Sequence, residues 1–188
     1  MVVVLPGRSI LEVLPPLAIE PALWHHFAGI LLVILLAVMQ ARVGRVGPFW
    51  QICWSLFGIA LHEFSHFFVG KLTGAQPTGF TILPHRDTSS GSGGWILGSV
   101  TINRPGPISS FPTGMAPLAL NVVGFFLAKN WYRWFPLDLP HILLMYLTIY
   151  VFAYSSVPSG QDVKVAFSSL TGLLFYSFVG TAAWFYFH

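Results

Sequence analysis

The sequence predicts an all-α membrane protein with about five transmembrane helices and a small β-hairpin insertion after the second of them. Two features of the composition support this prediction. Of the 188 residues, 55% are hydrophobic and only 8% are charged, and the mean hydropathy is +0.72. A soluble domain carries about 25% charged residues, which cover its water-facing surface. The third observation is that long apolar stretches fill most of the chain, because a spanning helix needs about 20 such residues.

Five stretches are predicted to cross the membrane as helices. The first is uninterrupted and apolar, the second contains two histidines and a glutamate, and the third is short. The connectors are too short for a separate soluble domain, so residues 22–188 are predicted to form one transmembrane domain. The predicted helices cover residues 22–41, 49–70, 113–129, 139–157 and 163–187.

Two segments lie outside these helices. Residues 1–21 lack the basic start and apolar run of a signal peptide, so they are predicted to be an interfacial lead-in. The connector 71–112 contains two strand-like stretches, 79–84 and 94–102, separated by the glycine- and serine-rich residues 89–94. Unpaired backbone is costly in lipid. We therefore expect a hairpin insertion that packs on protein or lines a wet cavity.

Charge and cysteine content exclude several classes of function. A net charge of +3, scattered along the chain, does not form the basic patch of a nucleic-acid-binding protein. The single cysteine, Cys53, excludes a disulfide framework and a cysteine-rich metal site. A haem or redox protein that uses some of the seven histidines stays open as a class, and a visible absorption spectrum would reveal it.

The strongest motif is His62-Glu63-Phe64-Ser65-His66, an HExxH pattern within the predicted helix 49–70. Residues i and i+4 share a helix face, so both imidazoles can point at one ion, and zinc binds imidazole nitrogens at about 2.0–2.1 Å. Glu63 lies one step around the helix, where it can reach a water without binding the ion. It is the only acid within any predicted span, and acids in spans are usually functional because they are costly there.

A catalytic zinc site usually has three protein ligands and a water, so a third ligand is needed. Asp162 is favoured because it lies where two predicted helices meet. Ser159 and Asp162 also match a helix capping box, which is the structural alternative for this acid. Asp87 and His85 stay open as alternative ligands, although they lie in a loop beside the glycine-rich stretch.

The HExxH motif inside a span, followed much later by Pro158-Ser159-Gly160-Gln161-Asp162 at the end of another span, resembles the site-2 protease family. These proteins are intramembrane zinc metalloproteases. The resemblance covers roughly residues 49–165, including the strand-like insertion. It implies His62, His66 and Asp162 as ligands of one Zn²⁺ ion and Glu63 as the catalytic base. It also implies an active site nearer the cytosolic face.

Two further motifs of the family are altered in this chain. Val157 stands where the family has an asparagine before the proline. Ala116-Pro117 and Asn121 replace the family's Gly-Pro-x-x-Asn, with the asparagine one position late. Because the family's asparagines hold substrate or steady the oxyanion, the resemblance implies a substrate-binding role for Asn121.

The expected function is hydrolysis of peptide bonds in membrane-embedded protein substrates by an integral, multi-pass membrane protein. Zinc would polarise the scissile carbonyl and activate water, and Glu63 would transfer the proton. The alternative is a non-catalytic metal-binding protein, or a degenerate protease-like subunit of a larger membrane complex. A water-accessible fourth coordination position favours the enzyme, whereas four protein ligands favour a structural metal site.

Overall fold

The computed structural model describes residues 23–83, 85–86, 95–96, 98–103 and 106–187, so the predicted lead-in at 1–21 lies outside the described residues. The described chain forms seven helices and four short strands. The helices are α1 (Leu23–Val46), α2 (Pro48–Leu72), α3 (Ser110–Gly114), α4 (Leu118–Trp134), α5 (Leu139–Ser155), α6 (Gly160–Ala166) and α7 (Leu170–Phe187). The strands are β1 (Pro77–Thr81), β2 (His85–Arg86), β3 (Trp95–Ile96) and β4 (Ser99–Ile102).

Three helices in the described ranges are long and apolar enough to cross a membrane, namely α1, α2 from Phe49 onward, and α7. Helices α5 and α6 pass the same test only as a pair, bent by 58° at the break between them. The prediction of a helical protein with several membrane-length apolar segments is confirmed. The predicted spans 22–41 and 49–70 correspond to α1 and α2.

The predicted third span, 113–129, is divided in the structure. The chain forms the short helix α3, turns at residues 115–117 and restarts as α4. Pro117 has no backbone N–H, and its ring would clash with the preceding helical turn, so one continuous helix through this position is disfavoured. Helix α4 has 17 residues, and it is not among the described helices that are long and apolar enough to cross a membrane.

The predicted spans 139–157 and 163–187 are divided around Asp162. Helix α5 ends at Ser155, Pro158 disfavours its continuation, and α6 is a separate helix of 7 residues. The start of α6 is capped reciprocally. The Ser159 hydroxyl accepts a hydrogen bond from the Asp162 N–H, and the Asp162 carboxylate accepts one of 2.6 Å from the Ser159 N–H. The chain leaves α6 at Ala166 and resumes as α7.

The insertion after α2 is a β-hairpin, as predicted. Strand β1 pairs with β4 in antiparallel fashion, with Phe80 opposite Val100 and Thr81 opposite Ser99. Strand β2 pairs with β3 in the same sense. Both β1 and β4 contact α2, so the hairpin lies against the helix that carries the HExxH motif. The glycine- and serine-rich residues 89–94 lie outside the described residues.

The described surface carries many large apolar side chains, and the described interior contains many small polar ones. Large apolar side chains are exposed along the helices, among them Phe27, Phe64, Phe125 and Phe178. Buried positions include many polar residues, namely Ser55, Ser65, His66, Ser109, Ser110, Thr113, Asn130, Ser155 and Ser156. Soluble proteins mostly expose such polar residues. Apolar surface around small polar contacts is expected of helices that pack in lipid.

Candidate metal centre

Three ligand side chains from distant parts of the chain meet in the interior. His62 and His66 lie one turn apart on α2, and Asp162 lies in the first turn of α6. The Nε2 atoms of the two histidines are 3.2 Å apart. The Asp162 carboxylate lies 3.2 Å from His62 Nε2 and 3.1 Å from His66 Nε2. The residues that sequence analysis favoured as ligands are therefore brought together.

Backbone carbonyls bond to both imidazoles at Nδ1, the ring nitrogen that does not face the cluster. His62 Nδ1 lies 2.8 Å from the Ser155 carbonyl oxygen at the end of α5. His66 Nδ1 lies 2.7 Å from the Thr113 carbonyl oxygen in α3. Because a carbonyl oxygen only accepts hydrogen bonds, each Nδ1 carries a proton and donates it. Each Nε2 of a neutral imidazole then presents its lone pair to the cluster, which is the tautomer that a metal ligand requires.

The cluster fits a bound metal ion. Two imidazole lone pairs and a carboxylate face one another, and three acceptors in close contact repel unless a cation or a proton lies between them. Atoms bound tetrahedrally at zinc's usual distances lie about 3.3 Å from one another, close to the observed separations of 3.1 and 3.2 Å. The group could therefore hold a metal ion.

Asp162 serves as a helix cap and faces the cluster at the same time. Its Oδ2 atom accepts the hydrogen bond from the Ser159 N–H, whereas Oδ1 lies 3.1 Å from His66 Nε2. The capping box and the ligand role, which sequence analysis treated as alternatives, are therefore compatible. The cap also fixes the direction of the carboxylate, because the carboxylate bonds to the backbone of its own turn.

Glu63 lies beside the cluster on the wall of the same cavity. Its side chain is half-buried, and its carboxylate has no hydrogen-bond partner among the described residues. An acid with no hydrogen-bonding partner of its own is available to accept a proton from a molecule in the cavity. The arrangement matches the sequence prediction that Glu63 stands next to the ligands without joining them.

A cavity of about 990 Å³ opens onto the cluster. Its walls come from α2, from the connection between α5 and α6, and from β4, which contributes Ser99, Val100 and Ile102. Strand β4 pairs with β1 along one edge, and no other strand in the described part of the chain pairs with its second edge. Among the described residues, β4 therefore has no partner strand on its second edge, and three of its residues line the cavity beside the cluster.

Gly98, the residue before β4, lies directly against Glu63. A Cβ atom at this position would be 2.9 Å from Glu63 Cγ, 3.1 Å from Glu63 Oε1 and 2.7 Å from Ile59 Cγ2. These distances are shorter than ordinary van der Waals contacts. The hairpin approaches the HExxH helix this closely because glycine has no side chain.

Asn121 is not part of this centre. It lies on α4 and lines a separate groove of about 300 Å³ between α4 and α5. Asn121 is not among the residues that line the cavity beside Glu63. A substrate-binding role for Asn121 stays a prediction. Of the two alternative third ligands, Asp87 lies outside the described residues, and only the backbone of His85, in β2, is described.

Several residues that shape the centre have no motif in the sequence. Ser155 and Thr113 contribute backbone carbonyls, which every residue type possesses, so no choice of side chain marks them. Gly98 contributes by having no side chain, and so does Gly114, where an added Cβ would lie 2.5 Å from the Asp162 carbonyl oxygen. A glycine beside bulky apolar residues was the one sequence feature that could have pointed to these positions. The same feature also occurs wherever helices pack closely, so it does not identify a functional centre.

No protein-family model, no curated protein and no solved structure matches this chain. The resemblance to the site-2 protease family therefore depends on the residues quoted above. The function has to follow from the chemistry of the centre itself.

Proposed function

We propose that this chain is an intramembrane zinc metalloprotease, which hydrolyses peptide bonds of membrane-embedded protein substrates. One observation supports the proposal above all others. Ligand atoms of His62, His66 and Asp162 lie within 4.8 Å of one another, on the wall of a cavity that also contains the carboxylate of Glu63. A metal site, a proton acceptor and space for a substrate thus occur together.

The ligand set favours one Zn²⁺ ion in a catalytic role. Two histidines and a carboxylate, with a further position open to a cavity, match catalytic zinc sites, whereas structural sites are closed by four protein ligands. In the described ranges no fourth His, Cys, Asp or Glu joins the three. When bound, zinc supplies a Lewis acid for the scissile carbonyl and lowers the pKa of water.

Glu63 is the general base in this proposal. Glu63 lines the cavity, and its carboxylate has no hydrogen-bond partner among the described residues, so it can accept a proton from the attacking water and deliver it to the departing amide nitrogen. His62 and His66 keep their orientation during the reaction, because their Nδ1 atoms are bonded to backbone carbonyls on α5 and α3. The Ser159 N–H restrains Asp162 in the same way.

The edge of β4 that has no partner strand among the described residues is the proposed binding position for the substrate backbone. A helical substrate hides its carbonyls in intrahelical hydrogen bonds, so it must unwind before a carbonyl reaches the metal. An extended segment can then bond to the free edge of β4, as in other cases of strand addition. Ser99 and Val100 line the cavity, so a strand added there would pass beside Glu63.

A multi-pass position in the membrane, with the centre nearer the cytosolic face, belongs to the same proposal. Three helices of membrane length and extensive exposed apolar surface support it, and lipid is the expected partner of that surface. The break between α5 and α6 supports it as well. Irregular backbone at membrane depth is tolerated where it lines a cavity, and Pro158 and Ser159 line this one.

The test compares wild-type protein with Glu63→Gln in lipid vesicles that contain a library of transmembrane peptides. Each peptide has about 20 apolar residues and differs from the others at its central positions. We expect the wild type to cut at least one peptide inside its apolar segment. Loss of a general base should slow this cleavage about 10²- to 10⁴-fold, while the bound metal is retained. Mass spectrometry measures the fragments, and elemental analysis measures the metal.

Asp138→Asn is the matched control, because Asp138 caps α5 and pairs with His141 away from the metal centre, and asparagine also caps helices well. Its cleavage rate should equal that of the wild type. Equal cleavage by Glu63→Gln would exclude Glu63 as the base. If the metal-loaded wild type cuts no peptide, the protein is better described as a non-catalytic metal-binding subunit of a larger membrane complex.

A further inference from the structure

We propose that the two-residue segment Thr113–Gly114 is a positioning element that sets the distance between the metal ligands of α2 and the metal ligand of α6. The inference rests on the proposed metal site, but it does not depend on proteolysis. Both residues belong to α3, a helix of 5 residues with no ligand of its own. Each residue acts on a different ligand.

Thr113 restrains the ligand from α2. Its carbonyl oxygen accepts the 2.7 Å hydrogen bond from His66 Nδ1, so its position sets the rotation of that imidazole. Thr113 is itself anchored to the same helix. Its hydroxyl lies 3.3 Å from the Thr73 hydroxyl just beyond α2, and its side chain is 1% exposed. The carbonyl therefore has little freedom to move relative to His66.

Gly114 sets the position of the ligand from α6. A Cβ at Gly114 would be 2.5 Å from the Asp162 carbonyl oxygen, 2.6 Å from the Ala166 nitrogen and 2.7 Å from the Ala166 Cβ. Two of these three atoms belong to the backbone of α6, so rotation of a side chain could not relieve the contact. Helix α6 would have to move as a unit, and Asp162 would move with it.

The two contacts together explain how ligands on separate helices reach one point. Because Gly114 has no side chain, α6 can approach until the Asp162 carboxylate lies 3.1 Å from His66 Nε2. The Thr113 carbonyl holds the His66 imidazole in place. Any residue larger than glycine at position 114 should separate Asp162 from the histidines. Changes in residues that orient metal ligands typically weaken metal binding about 10- to 100-fold, and Gly114→Ala should fall in this range.

The experiment titrates purified protein in detergent with Co²⁺, whose visible absorption reports the coordination geometry, and then displaces it with Zn²⁺. We expect Gly114→Ala to bind both ions about 10- to 100-fold more weakly than wild type. At saturating Co²⁺ its absorption spectrum should also differ from that of the wild type. A purely structural role for Gly114 would lower stability and leave the saturated spectrum unchanged.

Two glycine variants are matched controls. Gly160→Ala changes α6 itself, two residues before Asp162, where an added Cβ meets nothing within 4 Å. Gly124→Ala places a Cβ 2.9 Å from Phe152 Cβ, which is comparable crowding between α4 and α5. Both controls should bind Co²⁺ with wild-type affinity and spectrum, although Gly124→Ala should unfold more readily.

Ala166→Gly keeps the inference testable if Gly114→Ala fails to fold. This substitution removes a methyl group from the contact between Gly114 and Ala166 and adds no crowding. Helix α6 should therefore pack less tightly against α3. It should weaken Co²⁺ binding by up to about tenfold. Wild-type affinity in the folded variants at positions 114 and 166 would overturn the positioning role. If the wild type itself binds neither ion, the proposed metal site fails instead.

Discussion

Helices α2 and α7 are both apolar enough to cross a membrane, but their surroundings differ. In the most apolar stretch of α7, 6% of the residues are buried, against 22% in that of α2. The one buried residue of α7 is Gly172. Helix α2 instead turns Ser65 and His66 inward, where their exposure is 7% and 6%. Most side chains of α7 are exposed or only partly buried, whereas α2 has a buried polar face.

The two helices differ in the direction of their polar side chains, although both are apolar on average. Mean hydropathy identifies both helices, because it reports only that the outer surface suits lipid. A polar or ionisable side chain at membrane depth is costly unless it has a partner. The polar residues on the inner face of α2 find such partners in neighbouring helices, since His62 and His66 meet Asp162 of α6 and backbone carbonyls of α5 and α3. The inward direction of its polar residues, more than its hydropathy, distinguishes α2 as the helix that carries the candidate metal ligands.

Among the variants that test this difference, Gly98→Ala is expected to have the largest effect, which is on the rate of peptide cleavage. The added Cβ would meet Glu63 Cγ at 2.9 Å and Ile59 Cγ2 at 2.7 Å, so the Glu63 carboxylate or the hairpin must shift. A misplaced catalytic group should slow peptide cleavage in vesicles about 10- to 100-fold. Zinc content, measured in parallel, should not change because no ligand moves.

Gly44→Ala in α1 is the control, because an added Cβ there meets nothing within 4 Å. It should cleave at the wild-type rate. Wild-type cleavage by Gly98→Ala would show that the hairpin does not restrain Glu63. Loss of zinc from the same variant would place Gly98 among the residues that support the ligands.

Much of this centre could be predicted from the sequence. The spacing of His62, Glu63 and His66 is a local property of one helix, so it can be recognised without knowing the fold. Asp162 required the additional resemblance to a family, because nothing local distinguishes a ligand from a capping residue. In the structure the same carboxylate caps α6 and faces the two imidazoles, and the capping signal was therefore no argument against a ligand role.

The remaining features depend on tertiary structure. The bonds from His62 and His66 to the carbonyls of Ser155 and Thr113 join residues far apart in the chain, through backbone atoms that every residue possesses. The boundaries of the later helices were also missed. Pro117 and Pro158 were visible in the sequence, but an apolar stretch interrupted by proline can either continue as a kinked helix or divide. In this structure both stretches are divided, and the short helices α3 and α6 that result pack against each other.

A smaller effect is expected where α1 meets the helices of the centre. Gln40 donates hydrogen bonds to the Ser55 hydroxyl at 3.0 Å and to the Tyr154 hydroxyl at 2.6 Å. Interhelical hydrogen bonds in membranes contribute about 0.6 kcal/mol each. Gln40→Leu should therefore lower the free energy of unfolding in mixed micelles by about 1 kcal/mol, and zinc should stay bound.

Gln40→Leu thus distinguishes two functions of polar residues in a span. A loss of zinc would mean that α1 helps to hold the centre. Unchanged stability would mean that these hydrogen bonds are replaced by equally good contacts. The loss of zinc would contradict the proposed distinction between helices that carry the metal ligands and helices that only pack around them, and unchanged stability would contradict the expected contribution of these hydrogen bonds.

The smallest effect is expected in α7, the more exposed of the two helices. A Cβ at Gly180 in α7 meets nothing within 4 Å, so Gly180→Ala should change the free energy of unfolding by less than about 1 kcal/mol. Gly172→Ala is the contrast in the same helix, because its Cβ would lie 2.1 Å from the Pro107 carbonyl oxygen. Equal destabilisation by both variants, measured by unfolding in mixed micelles, would show that α7 is packed along its whole length.

The most direct measurement is the zinc content of purified protein, with wild type beside Asp162→Ala, Ser159→Ala and Asp138→Asn. Ser159→Ala removes the hydroxyl that caps α6 but keeps the backbone N–H that bonds to the Asp162 carboxylate, and Asp138→Asn changes an acid outside the centre. If His62, His66 and Asp162 hold the ion together, wild type and both controls carry one zinc ion per chain and Asp162→Ala carries almost none. A full complement of zinc in folded Asp162→Ala would contradict this ligand set.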